Sequence, residues 1–91
     1  MSKNKKWIEI AENYALDCAA TAIKASYDTG FFKAGTRPDY DTLLSLAAEM
    51  DDLAKESFVG YIKEKYHTLP KNSTVEHFSG AFAQSVVTYP F

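Results

Sequence analysis

The sequence has few of the residues that small domains use as covalent or metal staples. Its 91 residues include one cysteine, Cys18, and two histidines. One cysteine excludes a disulfide within the chain, and one cysteine with two histidines falls short of the four ligands of a structural zinc site. Domains of this size often depend on such staples or on a second subunit. The core must therefore be held by packing, or an oligomer or host complex must complete it.

Long hydrophobic runs are also lacking. No stretch approaches the ~20 apolar residues that a membrane-spanning helix needs. The lysines within residues 1–6 could begin a signal peptide, but Glu9, Glu12 and Asp17 interrupt the segment that would have to be apolar. We therefore expect a cytoplasmic protein that does not enter a membrane.

Arginine is nearly absent, and this bears on nucleic-acid binding. Arg37 is the one arginine, and the formal net charge is −2. A DNA-reading helix is rich in Arg, Lys, Asn or Gln. The third helical segment described below offers Glu76, His77 and Gln84 but no Lys or Arg. The sequence therefore argues against direct nucleic-acid binding and favours a protein partner.

Apolar residues recur at helical spacing in three segments, at about residues 5–28, 38–66 and 73–87. They predict an all-α fold in which residues 1–91 form one domain. The two long amphipathic helices are expected to form an antiparallel hairpin that the shorter third helix caps. Residues 85–89 contain two valines and a threonine, so an α+β fold with a short C-terminal edge strand is the alternative.

Helix-capping and helix-breaking residues mark the ends of these segments. Gly30 follows the first segment, where a helix-terminating glycine is expected. Thr36 and Asp39 have the spacing of a capping box, and residues 73–76 match the full Ser-x-x-Glu form. Gly60 interrupts the second helix, which predicts a close approach of another helix, a bend or an end at that point.

The lengths of the three segments do not match. A helix of ~25 residues is about 37 Å long, and a third helix of half that length cannot cover two of them. Either the long helices are broken, or they leave apolar surface for a partner.

No catalytic centre can be assembled from the candidate residues. Cys18 lies in mid-helix beside Asp17, whereas a reactive thiolate needs a helix N-terminus or a cationic neighbour. His67 and His77 belong to no paired-ligand or nucleophile motif. The adjacent carboxylates of the second helix point about 100° apart and do not face across a cleft. We expect no enzymatic activity, no metal and no cofactor.

Three regions are candidates for binding a partner. Residues 38–66 carry seven acidic and three basic side chains, a balance that can steer the protein towards a basic surface. A loop between two glycines holds two consecutive phenylalanines, one expected to pack back and one to be exposed. The C-terminal tail presents two rings beside Pro90. The candidate residues are Asp39, Asp41, Glu49, Asp51, Asp52, Glu56, Phe31, Phe32, Tyr89 and Phe91.

The favoured hypothesis is a non-enzymatic protein–protein interaction module that docks an acidic, aromatic surface on a basic protein, such as a nucleic-acid-handling one. One form of such a module is a small inhibitor of the kind phages make against host defence enzymes, a comparison that uses size and style alone. The alternative is a domain that binds a small phosphorylated ligand at the interface of a homo-oligomer. Its site residues would be Tyr14, Lys24, Tyr27, Lys33, Arg37 and His77.

Overall fold

A computed structural model describes the backbone of residues 2–91 and the side chains of residues 5–91. It contains three helices: α1 (Ser2–Asp28), α2 (Tyr40–Tyr66) and α3 (Asn72–Val87). The predicted all-α, three-helix fold is confirmed. The alternative with a C-terminal strand is wrong, because residues 85–87 form the last turn of α3 and residues 2–91 include no strand.

The two long helices run antiparallel, as predicted. Trp7 in α1 packs edge-on against Tyr66 at the end of α2, with ring centroids 5.2 Å apart. α1 and α2 meet chiefly through side chains, whereas α3 packs its backbone close to both of them. The buried face of α1 explains this closeness, since its alanines leave room for a neighbouring helix. They are Ala11, Ala15, Ala19 and Ala22.

One aromatic cluster joins the three helices. Phe58 of α2 and Phe78 of α3 stack face to face, with centroids 4.5 Å apart and planes 5° apart. Both rings are completely buried. Tyr14 of α1 packs against both, at 5.9 Å and 6.0 Å. The cluster therefore fixes the position of each helix against the other two.

The start of α2 differs from the predicted one. The capping residue is Asp39, not Thr36, and the Asp39 carboxylate accepts a hydrogen bond from the Thr42 backbone N–H at 2.8 Å. Hydrogen bonds from Thr42 also hold the pKa of Asp39 below its usual range. The Thr36 hydroxyl instead donates to the Lys33 carbonyl within the preceding loop. The loop hydrogen bond thus removes Thr36 from the cap.

The predicted capping box at the start of α3 is wrong. The helix begins at Asn72, so Ser73 already lies inside it. Its first carbonyl acceptor is that of Lys71, which accepts from Thr74 N–H and Val75 N–H at 3.0 Å each. No side chain of Lys71 caps the helix. Backbone hydrogen bonds to Lys71 therefore form the first turn of α3, and Ser73 lies too far along the helix to cap it.

Gly60 does not interrupt α2. The helix continues past it to Tyr66, and a methyl group added at Gly60 would meet no atom within 4 Å. The predicted close approach or helix end at this glycine is therefore wrong. Gly30 does end α1 as predicted, with a left-handed φ of 81°.

Replacing Gly60 with alanine should stabilise the domain by about 0.5–1 kcal/mol, because alanine loses less backbone entropy on folding and has space there. Thermal unfolding followed by circular dichroism measures the change. Gly30→Ala is the matched control, and we expect it to destabilise the protein because its φ of 81° disfavours a side chain. A lower melting temperature for Gly60→Ala would contradict the open space described here.

The long helices carry apolar surface that α3 leaves uncovered. α1 and α2 have 27 residues each and are unbroken, whereas α3 has 16. At 1.5 Å per residue, α3 is about 24 Å long beside helices of about 40 Å. Leu16 of α1 and Leu53 of α2 are among the large apolar side chains that remain exposed.

Within the described part of the chain, no helix has the length and apolarity needed to cross a membrane.

A candidate binding groove between α1 and α2

An apolar groove runs between α1 and α2. It consists of two adjoining depressions of about 420 and 270 Å³ that share Ala22, Ala25 and Met50. We call it the α1–α2 groove. The residues that line it are Tyr14, Asp17, Cys18, Thr21, Ala22, Ala25, Ser26, Thr29, Phe31, Leu46, Glu49, Met50, Leu53, Ala54, Ser57 and Phe82.

The groove opens on the side of the molecule away from the polar contacts to α3. Glu12 of α1 pairs with His77 of α3 at 2.9 Å, and it lies about 120° around α1 from Cys18. Asp51 of α2 contacts α3 in a similar way and lies about 160° around α2 from Leu53. The docking of α3 therefore leaves the groove uncovered.

Small side chains create the groove. Thr21, Ala22 and Ala25 on α1 and Ala54 and Ser57 on α2 line the groove with short side chains, which leave space between the two helices. The buried ring of Phe82 from α3 reaches this space from the other side and forms part of the floor. The result is a trough with the Phe82 ring in its floor and short side chains on its two walls.

Leucine and phenylalanine side chains stand at the edge of this trough. Leu53 is 60% exposed although it lies in the middle of α2. Phe31 is 57% exposed at the loop end of the groove. Exposed apolar side chains beside a concave apolar surface are typical of sites that bind another molecule.

A hydrogen bond closes the other end of the groove. The hydroxyls of Tyr14 and Ser57 lie 2.7 Å apart, and the Tyr14 ring stacks on that of Tyr61 at 4.5 Å. This bond links α1 to α2 directly, so the two walls are held at a fixed separation at this end.

The charged residues that line the groove are both acidic. Asp17 stands on the α1 rim and Glu49 on the α2 rim, and both are exposed. No Lys or Arg is among the lining residues in the described part of the chain. The groove therefore combines an apolar floor with negative rims.

Cys18 lies in the groove wall and is half-buried. Burial raises the pKa of its thiol, and the negative charge of Asp17 raises it further. A thiol of this kind is protonated near neutral pH and is a poor nucleophile. Because Cys18 is the single cysteine of the sequence, the rate at which its thiol is alkylated can report whether the groove is occupied.

The acidic residues predicted to form one docking face do not all share a face, and few of them adjoin the groove. Asp39 caps α2, and Asp51 is engaged with α3. Glu49 lies on the groove rim, whereas Asp52 points about 160° away from Met50 on the same helix. Glu56 lies two turns from Glu49 on the same side of α2 but does not line the groove, and Asp41 is exposed at the start of the helix. Position on the helix, not the acid content of α2, decides which carboxylate adjoins the groove.

Asp51 is held by two neighbours. The Ser79 hydroxyl donates a hydrogen bond to one carboxylate oxygen at 2.5 Å, and the Lys55 ammonium lies 3.0 Å from the other. The hydrogen bond from Ser79, followed by the contact with Lys55, lowers the pKa of Asp51. Asp51 therefore serves the α2–α3 contact rather than a free surface.

Replacing Ser79 with alanine should raise the pKa of Asp51 towards its ordinary value of 3.8 and lower the stability at pH 7 by about 1 kcal/mol. The pKa of Asp51 is depressed in the folded state, so its contribution to stability is present above pH 4 and is lost as pH falls through that lower pKa. The difference between the two proteins should therefore narrow in acid.

Urea unfolding between pH 7 and pH 3, with an NMR titration of Asp51, tests this. Ser45→Ala, at an exposed position of α2, is the control and should leave the pKa of Asp51 unchanged. An unaltered pKa in the Ser79→Ala variant would show that the hydroxyl does not hold the carboxylate.

The two predicted aromatic regions come together at one end of the bundle. Tyr27 packs against Phe32 at 5.3 Å and against Phe91 at 6.4 Å, so the loop and the tail share one cluster. Phe32 is only 3% exposed and belongs to the core, which corrects its assignment to a partner-binding surface. Its neighbour Phe31 is the exposed member of the pair, and it reaches the groove.

The tail itself is packed. The half-buried ring of Tyr89 contacts Phe91 at 5.0 Å, and the Arg37 guanidinium lies over the Phe91 ring at 5.7 Å. Phe91 remains partly exposed. These contacts tie the tail to the loop before α2, at a short distance in the fold from Phe31.

The residues proposed for a phosphorylated ligand do not converge within one chain. Tyr14 and Tyr27 are separated by about 20 Å along α1. His77 is paired with Glu12, and the Tyr27 hydroxyl donates to the Thr36 carbonyl. Such a site would need a second subunit to bring these residues together.

Among the described residues, no group of three or more His, Cys, Asp or Glu side chains is placed to hold a metal ion. Comparison with protein-family models, with curated proteins and with solved structures returns no significant match.

The sequence pattern missed the groove for a specific reason. In the sequence, Asp17 and Thr21 fall on the polar stripe of α1, and the spacing of Leu53 places it beside the apolar stripe of α2. The signal that points to the groove is the pairing of small residues on both helices, Ala22 and Ala25 on one and Ala54 on the other. That pairing has meaning only once α1 and α2 are known to face each other.

Proposed function

We propose that this protein is a non-enzymatic protein–protein interaction module and that the α1–α2 groove is its docking surface. The observation that supports this most directly is an uncovered apolar trough between two unbroken helices, with Leu53 60% exposed on its edge. Exposed apolar surface that is concave and continuous is costly in water unless a partner covers it.

The groove has the features of a protein-docking surface. Tyr14, Met50 and Phe82 supply aromatic and methionine contacts of the kind enriched at interfaces. Asp17 and Glu49 flank this apolar centre, and many interfaces likewise have polar residues at the rim of a buried apolar centre. Phe31 at the loop end supplies a large exposed side chain that can enter a pocket on the partner.

We keep the proposal of a basic partner that the sequence suggests, but the docking surface on this protein is different. Asp17 and Glu49, not the whole acidic side of α2, adjoin the apolar contact. A small inhibitor of the kind phages make against host defence enzymes would use the groove to cover a basic segment of its target, in the cytoplasm.

Site-specific photo-crosslinking in the cell that produces the protein tests the proposal. A photoreactive amino acid at Leu53 should crosslink to another protein, whereas one at Leu69, an exposed leucine outside the groove, should not. The crosslink should disappear in an Ala25→Phe variant, because a phenylalanine at this exposed position would fill the junction of the two depressions.

Ala48→Phe is the matched control, since Ala48 is an exposed alanine of α2 that does not line the groove. It should leave the crosslink intact. Equal crosslinking from Leu53 and Leu69, or a crosslink at Leu53 that survives Ala25→Phe, would refute the groove as the docking surface.

A further inference from the structure

We infer that the occupant of the α1–α2 groove is a single amphipathic helix of a partner protein, with Lys or Arg on the two flanks of its apolar face. This inference rests on the proposed function and specifies the partner's chemistry. Two observations carry it: the shape and length of the apolar trough, and the sign of the charge on both rims.

The shape of the groove fits one helix. On α1 its lining extends from Tyr14 to Thr29, which corresponds to about 22 Å or four helical turns. The walls are two antiparallel helices, and a third apolar surface, Phe82, lies beneath them. A helix laid along two others buries an apolar stripe with a spacing of three and four residues.

The two rim carboxylates specify where the partner's cations must lie. Two contacts set the register of α1 against α2: Tyr14 bonds to Ser57, and Trp7 packs on Tyr66. They place Asp17 and Glu49 about 7.5 and 10.5 Å apart along the groove, with a mean of about 9 Å. That distance corresponds to about six residues of a helix. Residues six apart lie about 120° apart around a helix, so two such cations would stand on opposite flanks of one apolar face.

A second copy of this chain is a poorer match. In a two-fold contact the groove would face itself, and the same set of residues from each copy would form the interface. Asp17 and Glu49 of each copy would then share one interface in which no described lining residue is cationic. Like charges brought together in this way oppose association.

Two designed peptides of about 15 residues test the inference on the intact protein. Both carry leucines at helical spacing, and they differ in two flank positions six residues apart, which are lysine in one peptide and glutamate in the other. The readouts are the dissociation constant and the rate at which iodoacetamide alkylates Cys18, the thiol in the groove wall.

The lysine peptide should slow the alkylation of Cys18 and bind about tenfold more tightly than the glutamate peptide, a difference that salt reduces. The double variant Asp17→Lys/Glu49→Lys should invert this order. Glu9→Lys/Glu76→Lys is the matched control, because it makes the same charge change at exposed positions that do not line the groove.

Each other result overturns the inference in a distinct way. Equal protection of Cys18 by both peptides would show that the groove binds helices without regard to charge, and the proposed function would stand. Failure of both peptides, together with a groove-dependent crosslink from Leu53, would show an occupant of another kind. Protection of Cys18 that rises with protein concentration alone would identify a second copy and would also overturn the proposed heterologous partner.

Discussion

Replacing Phe78 with alanine should destabilise the domain by about 3–5 kcal/mol and leave much of it unfolded at 37 °C. The Phe78 ring is fully buried and stacks on Phe58 at 4.5 Å, with Tyr14 packed against both. Truncation would therefore remove the contact through which α3 joins both long helices, and a rigid core cannot collapse to fill the cavity.

A small domain has little stability to lose. A chain of 91 residues has a free energy of unfolding of about 5–14 kcal/mol, and much of its surface remains exposed when folded. Urea unfolding monitored by circular dichroism gives the loss directly. Phe31→Ala, which removes an exposed ring, is the control and should change stability little.

The same experiment separates the two roles of phenylalanine in this protein. Phe31→Ala should preserve the fold and weaken any crosslink from the groove, whereas Phe78→Ala should abolish both. A fold that survives Phe78→Ala with less than about 1 kcal/mol of loss would contradict the central position of the Phe58–Phe78 pair.

The helices were predictable from the sequence because local patterns decide them. Phe78, Phe82 and Val86 recur every fourth residue, so their common face enters the core only when residues 85–87 are helical. Gly30 ends α1 because its left-handed φ is easily adopted without a side chain. In each case the deciding interaction lies within a few residues along the chain.

The caps and the groove were not predictable in the same way. Thr36 matched a capping pattern but is held by the Lys33 carbonyl, so a loop contact decided the outcome. Leu53 has the spacing of a core residue on α2, but it points about 160° away from Asp51, which contacts α3, and it remains exposed. Both outcomes depend on how the three helices are arranged, which no local pattern contains.

The positions of the acidic residues in the fold were likewise not predictable from the sequence. Counting charges along α2 gives one acidic region, whereas the fold sends Asp51 towards Ser79 and Glu49 towards the groove. Charge composition can thus indicate the sign of a partner, but the surface that meets it depends on the helical phase of each carboxylate. Asp17, on the other long helix, completes that surface.

The alanines of α1 explain why α3 can pack so closely against that helix, and Ala15 offers the clearest test. Ala15 is completely buried, and leucine in its place would add three carbon atoms to a filled interior. Ala15→Leu should therefore destabilise the domain by about 1–3 kcal/mol, because α3 or the side chains around it must shift.

Ala48→Leu makes the same change at an exposed position of α2 and should leave stability nearly unaltered, since leucine and alanine differ little in helix propensity. Urea unfolding compares the two variants. If Ala15→Leu were tolerated as well as Ala48→Leu, α1 would not need small residues to accept α3.

The groove depends on this packing, because α3 carries the Phe82 ring that forms part of its floor. A variant that pushes α3 away should therefore also change the alkylation rate of Cys18, which links the core to the proposed docking surface in one measurement.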